Sequence, residues 1–405
     1  MRLFSILLFC SFTIAVFSGA DWWQFRGPNG ASVADAKLPV TINDDVGIAW
    51  KTEMPGKGPS SPIVVGDKVF VTCSGGAKQD QLFVVCVNAN SGEIEWQRQF
   101  WATGHCYCHP LSANAAPTPA SDGEHVYCFF SSNDLVCLDL DGNLVWYRGL
   151  ATDYPKARND AGMSSSLVVS NGTVVAQVES QGESFVAGIN TATGETRWHV
   201  DRVKEASWAS PIIVPAKDER PEMIVLQSQD RVTALRMADG SKVWEQEGRV
   251  GTIASSVFSG DQVYVPVDGT TVYDVDPSGQ LKKAWNSPQL RASTSSLVVA
   301  DDAIYALERG GIVSAFDGKS GERKWKARIV EGEAAQGGSW ATPILANNHL
   351  YIFTQSGESR VVKVNDDGGE VVNEYSFGET MLGSPAVSGD AMYVRGDEHL
   401  WKIAN

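Results

Sequence analysis

INTATGETRW, residues 189 to 198, reads as the end of one strand, a polar turn carrying a glycine, and a second strand that runs into a tryptophan. The phrase recurs as VNANSGEIEW (87 to 96), LDLDGNLVW (138 to 146), LRMADGSKVW (235 to 244), DVDPSGQLKKAW (274 to 285), FDGKSGERKW (316 to 325) and VNDDGGEVVNEY (364 to 375). A period of about 45 residues outranks the two or three domains that 405 residues would otherwise suggest. Between the phrases come eight strand starts built on small residues: SSPIVV (60 to 65), APTPAS (116 to 121), SSSLVV (164 to 169), ASPIIV (209 to 214), ASSVFS (254 to 259), TSSLVV (294 to 299), ATPILA (341 to 346) and GSPAVS (383 to 388). Each is followed by a turn and an alternating run, as in GDKVFVTC (66 to 73) and GDQVYVPV (260 to 267). Alternation punctuated by turns predicts antiparallel sheets, and no stretch sustains a helical period. The expected fold is all-β, an eight-bladed β-propeller of four-stranded antiparallel blades.

The ends of the chain bear on closure. The eighth unit stops at Asn405 after three strands, while GIAWKTE (47 to 53) carries an orphan aromatic, Trp50. The N-terminal strand is therefore expected to complete the last blade and close the ring. The predicted organisation is a signal peptide over 1–20, an N-terminal arm over 21–46 and a single propeller domain over 47–405.

MRLFSILLFCSFTIAVFSGA, residues 1 to 20, has one positive charge at Arg2, an apolar run and small residues before Asp21. That is the pattern of a secretory signal cut near Ala20, and the run falls short of the ~20 residues a membrane span needs. An exported, periplasmic or extracellular, soluble protein with no transmembrane span is expected. Removing Arg2 takes the formal charge from −15 to −16. Such a chain repels phosphate backbones, which excludes nucleic acid as a partner class. Nothing calls for a second copy, so a monomer is expected.

Trp50, Trp96, Trp146, Trp198, Trp244, Trp285, Trp325 and Tyr375 supply one large aromatic per repeat. Burying 150 to 250 Å² at about 25 cal/mol per Å² contributes roughly 4 to 6 kcal/mol gross per ring. A residue repeated identically in every unit answers to packing, so these are read as wedges between blades. The phrase around Asn190–Trp198 and Asn88–Trp96 resembles the tryptophan-docking repeat of the PQQ-like quinoprotein propellers. DWWQFRGPNG (21 to 30) resembles the start of exported PQQ-like propellers of planctomycete bacteria, and the compact eight-blade plan is similar to BamB-like assembly lipoproteins.

The resemblance implies one of two functions. The first is a non-catalytic scaffold that binds envelope proteins, peptides or a small molecule, in BamB-like envelope protein assembly. The second is a quinoprotein oxidoreductase using PQQ and calcium on an alcohol or sugar, which in that family calls for a vicinal cysteine pair over the quinone. Here Tyr107 splits Cys106 from Cys108, and the large insertions of the catalytic members are missing. Asp274, Asp276, Asp366 and Asp367 fall in the turns between outer strands, where solvated turn residues suffice. The scaffold is the expectation, with no cofactor and no catalytic residue; a copper or redox protein is the weaker third reading.

In a propeller with strands A to D running outward, the D-to-A and B-to-C loops share one face, and strand A starts at the channel rim. SWASP (207 to 211) and SWATP (339 to 343) place Trp208 and Trp340 there, and DYPKARNDAGM (153 to 163) brings Arg158 and Asp160 to the same face. These residues, with His105 and His109 of GHCYCHP (104 to 110), are the candidate ligand-binding set; the alternative is that the tryptophans plug the channel mouth. Cys73, Cys106 and Cys108 are candidates for a soft metal, for a bridge from Cys73, or for free thiols. If Ser132 and Asn133 form a two-residue turn, Cys128 and Cys137 stand directly opposed. Export permits a disulfide there, and two small hydrophobes in the sheet are the alternative.

Overall fold

The computed structural model describes residues 21–405 apart from Asn29 and Asn159, so the signal expected over 1–20 lies outside the described residues. Eight antiparallel sheets form blades at 63–101, 120–149, 168–201, 212–247, 257–287, 298–328, 344–376 and 386–404. The outer strand of the last blade comes from the other end of the chain. Ile48–Glu53 runs antiparallel to His399–Ala404, with Trp50 opposite Lys402 and Thr52 opposite Leu400. The ring is closed in this way by its N-terminal strand.

Two interactions join each blade to the next. On the outer side, every outer strand carries a bulge one residue before the docking position, as at Arg197 before Trp198 and Val145 before Trp146. A bulge twists the strand and re-aims the following side chain, here toward the neighbouring blade. The indole N–H of Trp146 then donates to Thr191 O at 2.7 Å, that of Trp198 to Met237 O at 3.0 Å and that of Trp96 to Leu140 O at 3.0 Å. The ring lies flat on the turn glycine of the next repeat. A Cβ on Gly194 would come within 2.7 Å of the Trp146 ring, and φ is +71° there, so the turn tolerates nothing but glycine on both counts.

On the inner side, a Ser or Thr two residues before each inner strand makes a second belt. The backbone N–H of Ser61 donates to Thr118 Oγ1, Thr118 to Ser166, Ser166 to Ser210, Ser210 to Ser255, Ser255 to Ser296, Ser296 to Thr342 and Thr342 to Ser384, all at 2.9 to 3.1 Å. The small-residue strand starts therefore have a structural reason. Each hydroxyl satisfies the amide of the blade before it where no sheet ladder reaches.

Three members of the expected aromatic set depart from the pattern; the Trp285 ring packs on Gly321, but its buried indole N–H has no acceptor among the described residues. Trp244 is half-exposed and meets Tyr273 edge-on, because the outer strand pair of the next blade runs two residue pairs further past its bulge before the turn, and Gly279 packs on Met223 and Val243 instead. In the seventh blade the bulge falls at Val372, so the docking position is Asn373 and not Tyr375. The N-terminal arm fills the vacated slot. Ile42, 1 % exposed, donates its N–H to Asn373 Oδ1 at 3.2 Å and packs against Gly47, while Tyr375 donates its hydroxyl to Asp44 at 2.9 Å.

The arm also crosses the channel. Trp22 bridges Val64 of the first inner strand, Trp23 O accepts from Ser121 N, Ala31 O from Val299 N, and Val33–Ala34 pairs in parallel with Ile344–Ala346. These contacts lie toward the C-terminal ends of the inner strands, so residues 21–34 close the mouth opposite the D-to-A and B-to-C loops.

The expected Cys128–Cys137 disulfide does not form. Phe130 N donates to Asp134 O, and Asn133 takes φ +63°, so the loop has three residues rather than two. Cys137 then stands opposite Tyr127, and Cys128 opposite Val136. A one-residue slip sends the two thiols to opposite faces of the sheet, into separate clusters. Cys73, Cys86, Cys106, Cys108, Cys128 and Cys137 are all free.

Two outcomes follow from this geometry. Trp198→Ala should cost ~3 to 5 kcal/mol in a denaturant melt and Trp244→Ala about half as much, and equal losses would contradict the different docking. Protein unfolded in guanidinium without reductant should titrate six thiols; four would restore a bridge.

Candidate functional site

One face of the ring is built from the D-to-A connections and the B-to-C turns. Two residues before each belt hydroxyl stand Pro59, Ala116, Ser164, Trp208, Ile253, Thr294, Trp340 and Leu382, one per blade, all half-exposed or exposed. This collar is mostly apolar. Trp340 is 40 % exposed with its indole N–H on Gln355 Oε1 at 3.0 Å, and Ile253 is 41 % exposed. Trp208 is held more firmly: its indole donates to Gly162 O at 2.8 Å and its backbone N–H to Thr252 O.

Gly162 belongs to the 150–167 connection, on which Arg158 and Asp160 stand exposed. Its Cα packs on Cys108, and His109 N donates to Ala161 O, so GHCYCHP lies against this connection and, through it, beside Trp208. Exposure alternates along the loop: His105, Tyr107 and His109 face outward, whereas Cys106 and Cys108 are half-buried. Burial, reinforced by Asp80 and Asp134, pushes the Cys106 thiol up to about 11, and burial raises Cys108 as well. Thiolate, the metal-binding form, is disfavoured at both. Cys73 lies elsewhere, buried with Arg395 Nη2 at 3.7 Å from its sulfur. The three cysteines do not converge.

What anchors the loop is a residue that sequence reasoning missed. Asp134 is fully buried and accepts from Thr103 N at 3.0 Å, Thr103 Oγ1 at 2.5 Å, Ser132 Oγ at 2.6 Å and the Tyr147 hydroxyl at 2.7 Å. A buried carboxylate with four donors is a structural clamp. Glu179 is similar: burial raises its pKa, but it is fully enclosed and bonded to Arg202 at 2.9 Å and Ser228 at 2.7 Å, beyond the reach of a substrate.

A second feature missed by sequence reasoning is a groove of about 510 Å³ lined by Pro288, Gln289, Arg291, Ala292, Ser293, Glu308, Arg309 and Arg323. The one carboxylate, Glu308, is taken by Lys326 at 2.7 Å and Ser314 at 2.6 Å. The groove is therefore basic on a chain of net charge −15. Its sequence signal was the run of arginines at 291, 309 and 323, too widely spaced to read as a cluster before the loops are folded.

The collar carries no carboxylate, and among the described residues no group of three His, Cys, Asp or Glu could hold a metal ion. Asp276, in the DVDPSG turn, is held well below the usual carboxylate range by Ser278 and Lys282, as a turn-capping residue would be.

Comparison with known proteins agrees with the architecture. The outer membrane protein assembly factor BamB from Moranella endobia (strain PCIT) is 21% identical over 248 residues, 60% of this chain and 58% of that protein, so the chain spans less than two thirds of that curated relative. The crystal structure of BamB from Moraxella catarrhalis superposes with a TM-score of 0.65 at 17% identity over 88% of this chain and 97% of that one. A europium-containing methanol dehydrogenase superposes with a TM-score of 0.72 at 12% identity, over 95% of this chain and 91% of that one, which shows a shared fold alone. No helix among the described residues is long and apolar enough to cross a membrane. The model of the family described as outer membrane protein assembly factor BamB matches residues 31–205, 182–358 and 309–405, and this chain of eight blades belongs to that family.

Proposed function

We propose that this protein is an exported, non-catalytic scaffold of the cell envelope that binds polypeptide segments of envelope proteins on the face made by the D-to-A and B-to-C loops, in outer membrane protein assembly. The observation that carries the reading is the asymmetry of the two mouths. One is filled by the protein's own N-terminal arm; the other is ringed by Trp208, Ile253, Trp340 and Leu382, apolar groups partly open to solvent. Half-exposed aromatic side chains ringed by polar loops are the usual anchors of a polypeptide contact. The arginine groove beside the collar favours a partner with acidic side chains, which an otherwise acidic surface repels. Family membership supplies the context of assembly.

Placing a photocrosslinker at 340 or 253 in cells should capture a component of the outer membrane protein assembly machinery. The same group at Leu144, 54 % exposed at the start of an outer strand, should capture none. Trp340→Ala should weaken the captured partner's binding by roughly tenfold or more. Crosslinks at 144 and none at 340 would overturn the assignment of the face.

A further inference from the structure

The N-terminal plug places a charge where the fold provides no counter-charge. Arg26 is 2 % exposed, and its Nη2 donates to Ser256 O at 2.7 Å. Its Nε and Nη1 are buried without an acceptor, and no carboxylate lies within ion-pair distance among the described residues. The Phe25 ring, with its centroid 5.0 Å from the guanidinium carbon, offers only a weakly negative face. Burial lowers the Arg26 pKa to about 9, which leaves the group charged at neutral pH. A buried cation with two unpartnered donor nitrogens is costly unless an anion meets it.

Arg26 also lines a small, partly open cavity of about 10 Å³ between the plug and the blades, whose walls include Gln24, Gly30, Leu167, Ser210 and Ile212. The Ser210 hydroxyl accepts from Ser166 N at 2.9 Å, which leaves its own proton to donate. The lining thus includes a cationic side chain, a serine and Gln24 among mainly apolar residues, and no carboxylate. A space of this size takes a single sphere about as large as a water molecule. Carboxylate, phosphate and sulfate ions are far too large for it, and a halide, somewhat larger than a water molecule, is the anion that needs the least widening of the walls.

We propose that Arg26 binds a halide ion, chloride in practice, inside the closed end of the channel, and that this ion is the counter-charge that holds the plug against the third to fifth blades. It ties residues of the arm to inner-strand residues of separate repeats. Plug docking is then linked to halide concentration, because an ion bound only by the docked state stabilises that state by mass action.

Thermal melts of the wild-type protein test this, with sodium gluconate replaced stepwise by sodium chloride at constant ionic strength. The melting temperature should rise by roughly 1 to 3 °C and level off as the site saturates, with bromide acting like chloride. Arg26→Gln should lose the halide-specific rise. No saturable rise in the wild type, or an equal rise in Arg26→Gln, would overturn the site. Should that variant fail to fold, bromide-soaked wild-type crystals give an independent reading. An anomalous peak within hydrogen-bonding reach of the Arg26 guanidinium supports the proposal, and density there without anomalous signal overturns it.

Discussion

A blade of four short strands cannot bury both of its faces alone, so everything in this molecule depends on how one blade grips the next. The grip is made twice. An indole, re-aimed by a bulge, lies on the neighbouring turn glycine and bonds the carbonyl beside it. Nearer the axis, a hydroxyl from the next blade caps a backbone amide before the inner strand at seven of the eight junctions. The outer contact is mainly apolar area and the inner one mainly hydrogen bonding, and together they fix both the radius and the rotation of the ring. A closed ring needs every junction. At the seventh, where Asn373 replaces the aromatic, the chain reaches back with Ile42 and Asp44 from its own N-terminal arm.

This dependence explains which features could be read from sequence. The docking phrase repeats because its chemistry repeats, and Trp146, Trp198 and Trp325 could be placed by counting alone. The hydroxyl belt was visible as strand starts, but its purpose was not, since a Ser two residues ahead of a strand gives no sign of which amide it will meet. The cysteine error came from a single residue. Reading two residues rather than three in the 131–133 loop reverses every side chain along the hairpin, and Asn133 in the left-handed region was the missed signal. Tyr375 failed likewise: the bulge at Val372 shifts the docking position to Asn373, and bulges are seen in a ladder, not in a string.

The proposed function rests on the places where the repeat is broken. The arm is the largest break, with no counterpart in any other repeat, and it turns a through-channel into a cup. Trp208, Ile253, Trp340 and Leu382 are the second break, since the equivalent positions in the first three blades are Pro59, Ala116 and Ser164. The arginines at 291, 309 and 323 are the third. By contrast GHCYCHP, the most reactive-looking stretch in the sequence, is held by Asp134 as a rim loop with raised thiol pKa values and outward-facing histidines.

The central claim is that residues 21–46 are part of the ring and not an appendage to it. Hydrogen–deuterium exchange on the full protein tests this most directly, because the amides of Val64, Ser121, Val299 and Leu345 are bonded to carbonyls of the arm. If the arm closes the channel and fills the seventh junction, peptides covering 21–46 and these four amides should exchange as slowly as the central strands of the blades. Exchange of the arm within seconds, with the blades still protected, would contradict the account.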